Sequence, residues 1–368
     1  MRERSSDIFL LFGGGALLLL GCLLLLFFPQ PQFSERENRM LAAMPRYSVA
    51  AMIDGSYAAG FESYATERIP YRNEMRSLRA VLELAMGKRE IGGVVLCRDG
   101  SLAARPQENK RTYSQNLAAL QRLLSQSETA GVSSTVAVVP RRIEMADKLP
   151  YGCAATLDKS AYQRLRDALP SAVVADFLTV DHWYRTDHHL TSEGAYALYA
   201  ALGAELGYSP LPKSAFSPVT VCEDFFGTAD AAAGIPHLAP DKISLWRYAG
   251  DEDISVSKDG VPAAFGLYDL SKLGTRDKYS VFLGGNDAVT VIDSSKKSAD
   301  DPRPTLFLIK DSFANALIPF LARHFRIVAA DPRYGIIDTA AHLASADRLL
   351  ILSGMATLGE APLARGLR

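Results

Sequence analysis

The sequence predicts an α/β protein with a mostly parallel sheet covered by helices on both faces. Two observations carry that expectation. Short apolar runs such as "STVAVVP" (134–140), "PTLFLIK" (304–310) and "RLLILSG" (348–354) have the length of buried strands. Segments of helical period separate them, so strand and helix alternate, as a parallel sheet with crossover helices requires. A third observation adds a membrane segment. "IFLLFGGGALLLLGCLLLLFF", residues 8–28, carries no charge over 21 residues, the length that crosses a bilayer core.

The elements follow in order. The apolar run ends in "PQPQFSEREN" with no small-residue cleavage pattern, so it reads as an uncleaved signal anchor, a single membrane span behind a short cytoplasmic tip. Arg2 and Arg4 precede it and Arg36 and Arg39 follow it, so charge orients it weakly. With so short a head, the large domain is expected outside the cytoplasm, in the cell envelope. Residues 29–56 read as a stalk, and the globular domain is expected over 57–368. Residues 57–87 have helical period, broken at Pro70. "GGVVLCRDGSLA" (92–103) reads as a strand and turn. "NKRTYSQNLAALQRLLSQSETAG" (109–131) is an amphipathic helix closed by Gly131. Strands are expected over 134–140 and over "AVVADF" (172–177), and a helix over 191–207 with Thr191 or Ser192 as its N-cap. Residues 211–300 hold short alternating runs and many turn residues, and read as an irregular β-rich insertion. After it come a strand at 304–310, a helix at 311–325, a strand at 326–331, a helix near 337–345 and a strand at 348–354.

The net charge of −1 leaves no overall basic excess of the kind that nucleic-acid binding needs, so no nucleic-acid partner is expected. Besides Cys22, the cysteines are Cys97, Cys153 and Cys222. An odd number outside the span excludes a disulfide scaffold, although one bridge, Cys153 to Cys222, is compatible with the count.

Chemistry concentrates in two places. Ser312 lies in "LFLIKDSFANALIPFL", just past an apolar strand and at the start of the next helix. Parallel sheets hold their ligands at that edge, and a helix start offers unpaired N–H groups to a developing oxyanion. The same Asp-Ser pair also suits a plain N-cap. The second place is "DHWYRTDHHL" (181–190), which holds three of the six histidines. In extended backbone, residues two apart point the same way, so Asp187 can sit beside His189 and fix its tautomer while His188 points elsewhere. A metal site is the competing reading. No further His or Cys stands at ligand spacing, so no metal and no cofactor are expected. Gly285 and Asn286 in "FLGGND" could support an oxyanion or form a Gly-Asn turn. Arg333 and Tyr334 in "DPRYG" follow the next strand and could border the same crevice or a surface turn.

Taken in order, "FSERENRMLAAMP", "FESYATERIPYRNEMRSLRAVLELAMGKREIGGVVLCRDGSL", "VVPRRIEMADKLP", "YRTDHHLTSEGAYALY", "DFFGTAD" and "LIKDSFANALIPFL…DPRY" resemble the DHHW family of bacterial surface proteins. That family is similar to the SGNH-hydrolase-like domains of the alginate O-acetylation proteins. The family tetrad Asp-His-His-Trp here reads Asp187, His188, His189, Leu190. The resemblance implies a three-layer SGNH-hydrolase-like fold with permuted motif order, the Asp-x-His preceding the serine. It implies acyl transfer to a cell-surface polysaccharide, with a membrane-bound O-acyltransferase partner delivering the acyl group. Ser312 would be the nucleophile, His189 the general base and then acid, and Asp187 its orienter. The oxyanion donors would be the Ser312 N–H with Gly285 or Asn286. A carbohydrate esterase with the same residues, or a glycan-binding assembly protein without catalysis, are the alternatives.

Overall fold

The structure is a computed structural model that describes residues 12–17, 19–21, 23, 32–34, 39–157, 159–294 and 302–367. Most of the expected membrane span lies outside those residues. The described ones, 12–17, 19–21 and 23, are helical. Among the described residues no helix is long and apolar enough to cross a membrane.

The chain forms two compact units, which part at Lys88 and Arg89 instead of at residue 57. The first contains residues 1–88 and 234–236. In it, β1 (Phe33–Ser34) pairs antiparallel with β2 (Arg39–Met40). Three helices follow: α1 (Val49–Ile53), α2 (Ser56–Arg68) and α3 (Arg72–Ala85). The segment expected as a stalk therefore already contains secondary structure. Pro70 separates α2 from α3, as its missing N–H requires.

The second unit holds an eight-stranded sheet. Its parallel part runs β14 (Arg326–Ala330), β13 (Thr305–Lys310), β15 (Arg348–Gly354), β6 (Ser133–Val139) and β7 (Val173–Val174). Strict alternation along these strands builds two cores. Leu306, Leu308, Leu350, Leu352, Ala137 and Val139 face one side, where α7 (Ser192–Leu206) packs Ala195, Leu198, Tyr199 and Leu202. Phe307, Ile309, Leu349, Ile351, Val136 and Val138 face the other, against Tyr113, Leu117 and Leu120 of α4 (Lys110–Thr129). Two helical layers thus cover one sheet, because each strand buries both of its faces.

The sheet is mixed, not mostly parallel throughout. β12 (Val289–Ser294) joins β14 antiparallel, and β10 (Ile254–Lys258) and β11 (Val261–Pro262) continue outward antiparallel. This corrects the reading of 211–300 as an irregular insertion: its strands β10, β11 and β12 complete the main sheet. A separate antiparallel ribbon comes from β8 (Phe216–Phe225) and β9 (Asp241–Tyr248). Local pattern names such strands but not the edge they join.

The helix expected over 311–325 is also interrupted. Ser312–Ala314 form one tight turn, and α9 (Ile318–Leu321) begins beside Pro319, which cannot continue a helix from upstream. The strand expected over 172–177 pairs only at Val173 and Val174. Cys153 and Cys222 are free thiols in different cores, so the anticipated bridge is absent; Cys153 packs in a small cluster with Cys97.

Candidate active site

Ser312 stands directly beyond the carboxyl end of β13, in the tight turn that the preceding residue builds. Asp311 is fully buried, and its carboxylate accepts from Phe313 N at 3.0 Å and from Gly354 N at 2.7 Å. One side chain thereby caps the turn and ties it to the end of β15. Phe313 packs so closely on Gly354 that a Cβ at residue 354 would overlap its ring. The turn's position is therefore set by two strands at once.

The Asp-x-His segment reaches the same sheet edge from the far side of β7. Asp241 shapes it: its carboxylate accepts from Arg185 N and Thr186 N, each at 2.8 Å, and from the Thr186 hydroxyl at 2.6 Å. Residues 185–189 form a bend, not a strand. The bend lets Asp187 Oδ1 accept from both His189 N at 2.9 Å and His189 Nδ1 at 2.5 Å. His189 Nε2 then lies 2.8 Å from Ser312 Oγ, joining residues 123 apart in sequence. Asp187 and His189 are both buried, at 2% and 7% exposure.

The electrostatics agree with that order. Burial alone would raise the Asp187 carboxyl. The His189 and His188 rings, with the Thr228 N–H, more than offset it and hold the group well below the usual carboxylate range. An ionised Asp187 keeps the imidazole proton on Nδ1, which leaves the Nε2 lone pair facing the Ser312 hydroxyl. The His189 ring is clamped flat on Tyr279, 3.9 Å away at an interplanar angle of 7°, and the Tyr279 hydroxyl donates to the Ser312 carbonyl at 3.2 Å.

His188 does not point away, because alternation does not hold in a bend. Its ring lies 3.8 Å from the His189 ring, and its Nδ1 lies 2.7 Å from the Thr228 hydroxyl. Desolvation and the neighbouring His189 imidazole lower its pKa to about 4. Asp187, His188 and His189 also offer possible metal ligand atoms within 4.8 Å of one another. Each of those side chains already has a protein hydrogen-bond partner.

The remaining expected residues divide. Arg333 lines the cavity beside Ser312, its guanidinium paired with the fully buried Asp331 through Nε at 2.9 Å and Nη2 at 2.6 Å. Burial opposes the Arg333 charge, but that pairing raises its pKa further above the ordinary value. Tyr334 is exposed and does not line the cavity. Gly285 and Asn286 do not line it either. The Gly285 N–H goes to the Phe282 carbonyl at 3.2 Å. The Asn286 side-chain oxygen accepts from Lys310 Nζ at 2.6 Å and from Asn315 Nδ2 at 3.1 Å, beneath the serine turn. The Gly285 N–H and the Asn286 side-chain oxygen are thus engaged within the protein. Leu190 is fully buried and bridges to Trp183, so position 190 belongs to the core and not to the cavity wall.

Sequence reasoning missed Thr228, Gly227 and Tyr279. Thr228 holds Asp187 Oδ2 with its N–H at 2.7 Å and its hydroxyl at 2.9 Å. Gly227 touches Asp187 so closely that a Cβ would overlap the carboxylate. The quoted "DFFGTAD" contains Gly227 and Thr228, but nothing local assigns them to a carboxylate 40 and 41 residues upstream. The cavity itself, about 440 Å³, opens beside Ser312 and His188 and is walled by Leu102, Pro140, Met355 and Arg142.

Two family profiles match the chain: "DHHW protein" over residues 176–330, and "SGNH hydrolase-like domain, acetyltransferase AlgX" over residues 98–241. No curated protein matches it. Among solved structures, a DHHW family protein from Eubacterium siraeum aligns with TM-score 0.60 at 19% identity, covering 74% of this chain and 94% of that one. Bacillus cereus PatB1 carrying a sulfonyl adduct aligns with TM-score 0.58 at 16% identity, covering 75% of this chain and 98% of that one. At such identities the likeness is one of fold. Across residues 98–330, then, the chain carries the overlapping patterns of the DHHW proteins and of the AlgX SGNH hydrolase-like domain.

Proposed function

We propose that this protein is a membrane-anchored, extracytoplasmic SGNH-like acyltransferase that O-acetylates a cell-surface polysaccharide. The observation that carries the reading is the hydrogen-bonded chain from Asp187 through His189 to Ser312 at the mouth of a cavity. The match to the acetyltransferase AlgX domain supports the reaction class. Residues 8–28 would anchor the chain, and a membrane-bound O-acyltransferase partner would bring the acyl group across the bilayer.

The chemistry runs in two halves. Ser312 Oγ attacks the acyl carbonyl as His189 Nε2 takes its proton, and the donor leaves with that proton, giving an acyl ester on Ser312. A glycan hydroxyl then attacks the ester. His189 accepts the hydroxyl proton and returns it to Ser312 Oγ, which leaves as the free serine. Asp187 keeps the tautomer throughout and offsets the transient imidazolium charge. Tyr279 and Thr228 hold the ring and the carboxylate in register.

The test has two arms. In the host, mild base should release less acetate from the surface polymer when the protein is deleted. Complementation with wild type should restore the acetate, and Ser312→Ala should not. On the purified chain, a sulfonyl fluoride should modify Ser312 and stop turnover of an aryl acetate. Full acetate recovery with Ser312→Ala would refute the reading. More base-releasable acetate on the polymer after deletion would identify a carbohydrate esterase instead.

A further inference from the structure

His188 has no part in the acyl transfer described above. Asp187 already fixes the His189 proton, and Tyr279 covers one face of the His189 ring, 3.9 Å away. His188 covers the other face, 3.8 Å away, and the Phe313 ring meets His188 edge-on at 5.9 Å. Any flat apolar ring would satisfy that packing. An imidazole adds two nitrogens, and their surroundings fix what each one does.

Nδ1 lies 2.7 Å from the Thr228 hydroxyl oxygen. That hydroxyl has one proton. Asp187 Oδ2, 2.9 Å away, takes it, because an ionised carboxylate can only accept. With the proton turned elsewhere, two oxygens would face each other in a buried site with nothing between them. The Thr228 oxygen therefore accepts from His188, and the His188 proton sits on Nδ1. Asp187 Oδ1, 3.7 Å from the same nitrogen, favours a proton there as well. Desolvation and the His189 ring lower the His188 pKa to about 4, so the ring is uncharged in neutral solution and Nε2 holds a lone pair.

That lone pair is available to a ligand. Nε2 has no hydrogen-bond partner among the described residues, the His188 side chain is 41% exposed, and it lines the cavity beside Ser312. The other polar groups there are donors or are engaged. Arg142 and Arg333 can only donate, the Asp187 oxygens already accept from four donors, and Glu360 takes the Gln107 N–H. A neutral acceptor beside the nucleophile selects a neutral donor. A hydroxyl is one, and an ester carbonyl or a carboxylate is not. Because the His188 and His189 rings touch, groups bound at the two are neighbours. Hydroxyls on adjacent carbons of a sugar ring stand about one hydrogen-bond length apart, which suits such a pair of sites.

We propose that His188 Nε2 accepts a hydrogen bond from the hydroxyl next to the one being acylated, so that the acceptor is a glycan with free hydroxyls on adjacent carbons. This deepens the acyltransferase reading and rests on it. The attacking hydroxyl gives its proton to His189 as before. The adjacent hydroxyl keeps its own proton and orients the sugar, so His188 selects and positions the acceptor.

The test supplies the purified chain with an aryl acetate and reads acetyl ester formed on an added acceptor against acetate released. Three acceptors differ at the second oxygen: cis-1,2-cyclohexanediol, cis-1,3-cyclohexanediol, and cis-2-methoxycyclohexanol, which keeps the adjacent oxygen but cannot donate from it. All three draw on one acyl enzyme, so their ratio is independent of how fast that ester forms. Wild type should transfer to the 1,2-diol about five- to tenfold more than to either of the others, as one hydrogen bond between neutral groups allows. His188→Phe keeps a flat ring against His189 and should bring the 1,2-diol down to the level of the other two.

Equal transfer to all three acceptors, or transfer to none, overturns the proposal. So does a His188→Phe chain that keeps the wild-type preference, even with slower turnover, since a packing role changes the rate and not the ratio. If His188→Phe does not fold, the wild-type comparison of the 1,2-diol with its methyl ether decides, and equal transfer to those two overturns the proposal. Ester turnover that survives Ser312→Ala refutes the acyltransferase reading itself. Turnover that needs Ser312 but ignores the adjacent hydroxyl refutes this inference alone.

Discussion

Asp187→Asn preserves volume and removes one negative charge, and the consequences can be worked bond by bond. The Asp187 carboxylate accepts four hydrogen bonds: from His189 N at 2.9 Å, His189 Nδ1 at 2.5 Å, Thr228 N at 2.7 Å and Thr228 Oγ1 at 2.9 Å. An amide offers one accepting oxygen and one donating NH₂. With the NH₂ toward His189, the ring must carry its proton on Nε2 and cannot take one from Ser312. With the NH₂ toward Thr228, the backbone N–H there meets a second donor in a buried site, at a cost of about 1–3 kcal/mol. In either orientation the imidazolium loses its counter-charge. Loss of the correct tautomer in a triad lowers turnover by about 10⁴-fold, or about 5.5 kcal/mol in the barrier. We therefore expect kcat for an aryl acetate to fall by three to four orders of magnitude with KM little changed. Near-ultraviolet circular dichroism and urea unfolding should show a folded protein less stable by about 1–3 kcal/mol. A folded Asp187→Asn variant retaining more than about a tenth of wild-type kcat would refute the tautomer argument, because less than 1.4 kcal/mol would then separate the two barriers.

Three further outcomes follow from the same contacts. Gly227→Ala inserts a methyl group where the Asp187 carboxylate sits, so turnover should fall at least about tenfold and urea should unfold the variant about 1–3 kcal/mol sooner. A chelator should change neither the melting temperature nor aryl-acetate turnover, since Asp187, His188 and His189 are each held by protein partners; stoichiometric zinc lost with His188 substitution would contradict this. Lys310 is almost fully buried, and burial lowers its pKa from 10.5 to about 8. Between those values the unfolded chain holds a proton that the folded one lacks, so stability rises with pH across that window, by at most about 1.4 kcal/mol per unit. Lys310→Met should remove that rise in urea titrations, and a variant with the wild-type slope would show that another group carries it.

Much of this protein is written in local pattern. The strands β6, β13, β14 and β15 are legible because a strand buried on both faces is apolar along most of its length, although the similar run "AVVADF" pairs only at Val173 and Val174. Ser312 and Asp187-x-His189 are legible because polar residues directly past such strands fall at one sheet edge. Tertiary structure decided what depends on long-range pairing. β10 and β12 join the main sheet through contacts that no local period encodes. Pro319 and the buried Asp311 shorten the expected helix to a turn, which places Ser312 by two strands instead of by a helix start. Thr228 and Gly227 matter only because folding brings them against a carboxylate 41 residues away, and Tyr279 only because its ring meets His189. The Gly285 N–H goes to Phe282 and the Asn286 side-chain oxygen to Lys310 and Asn315, pairings that composition does not encode. Residue type and spacing determine which groups can react, but hydrogen-bond direction exists only once the backbone is folded. The sequence could therefore name the serine, histidine and aspartate, while the residues that hold them in register had to be found in space.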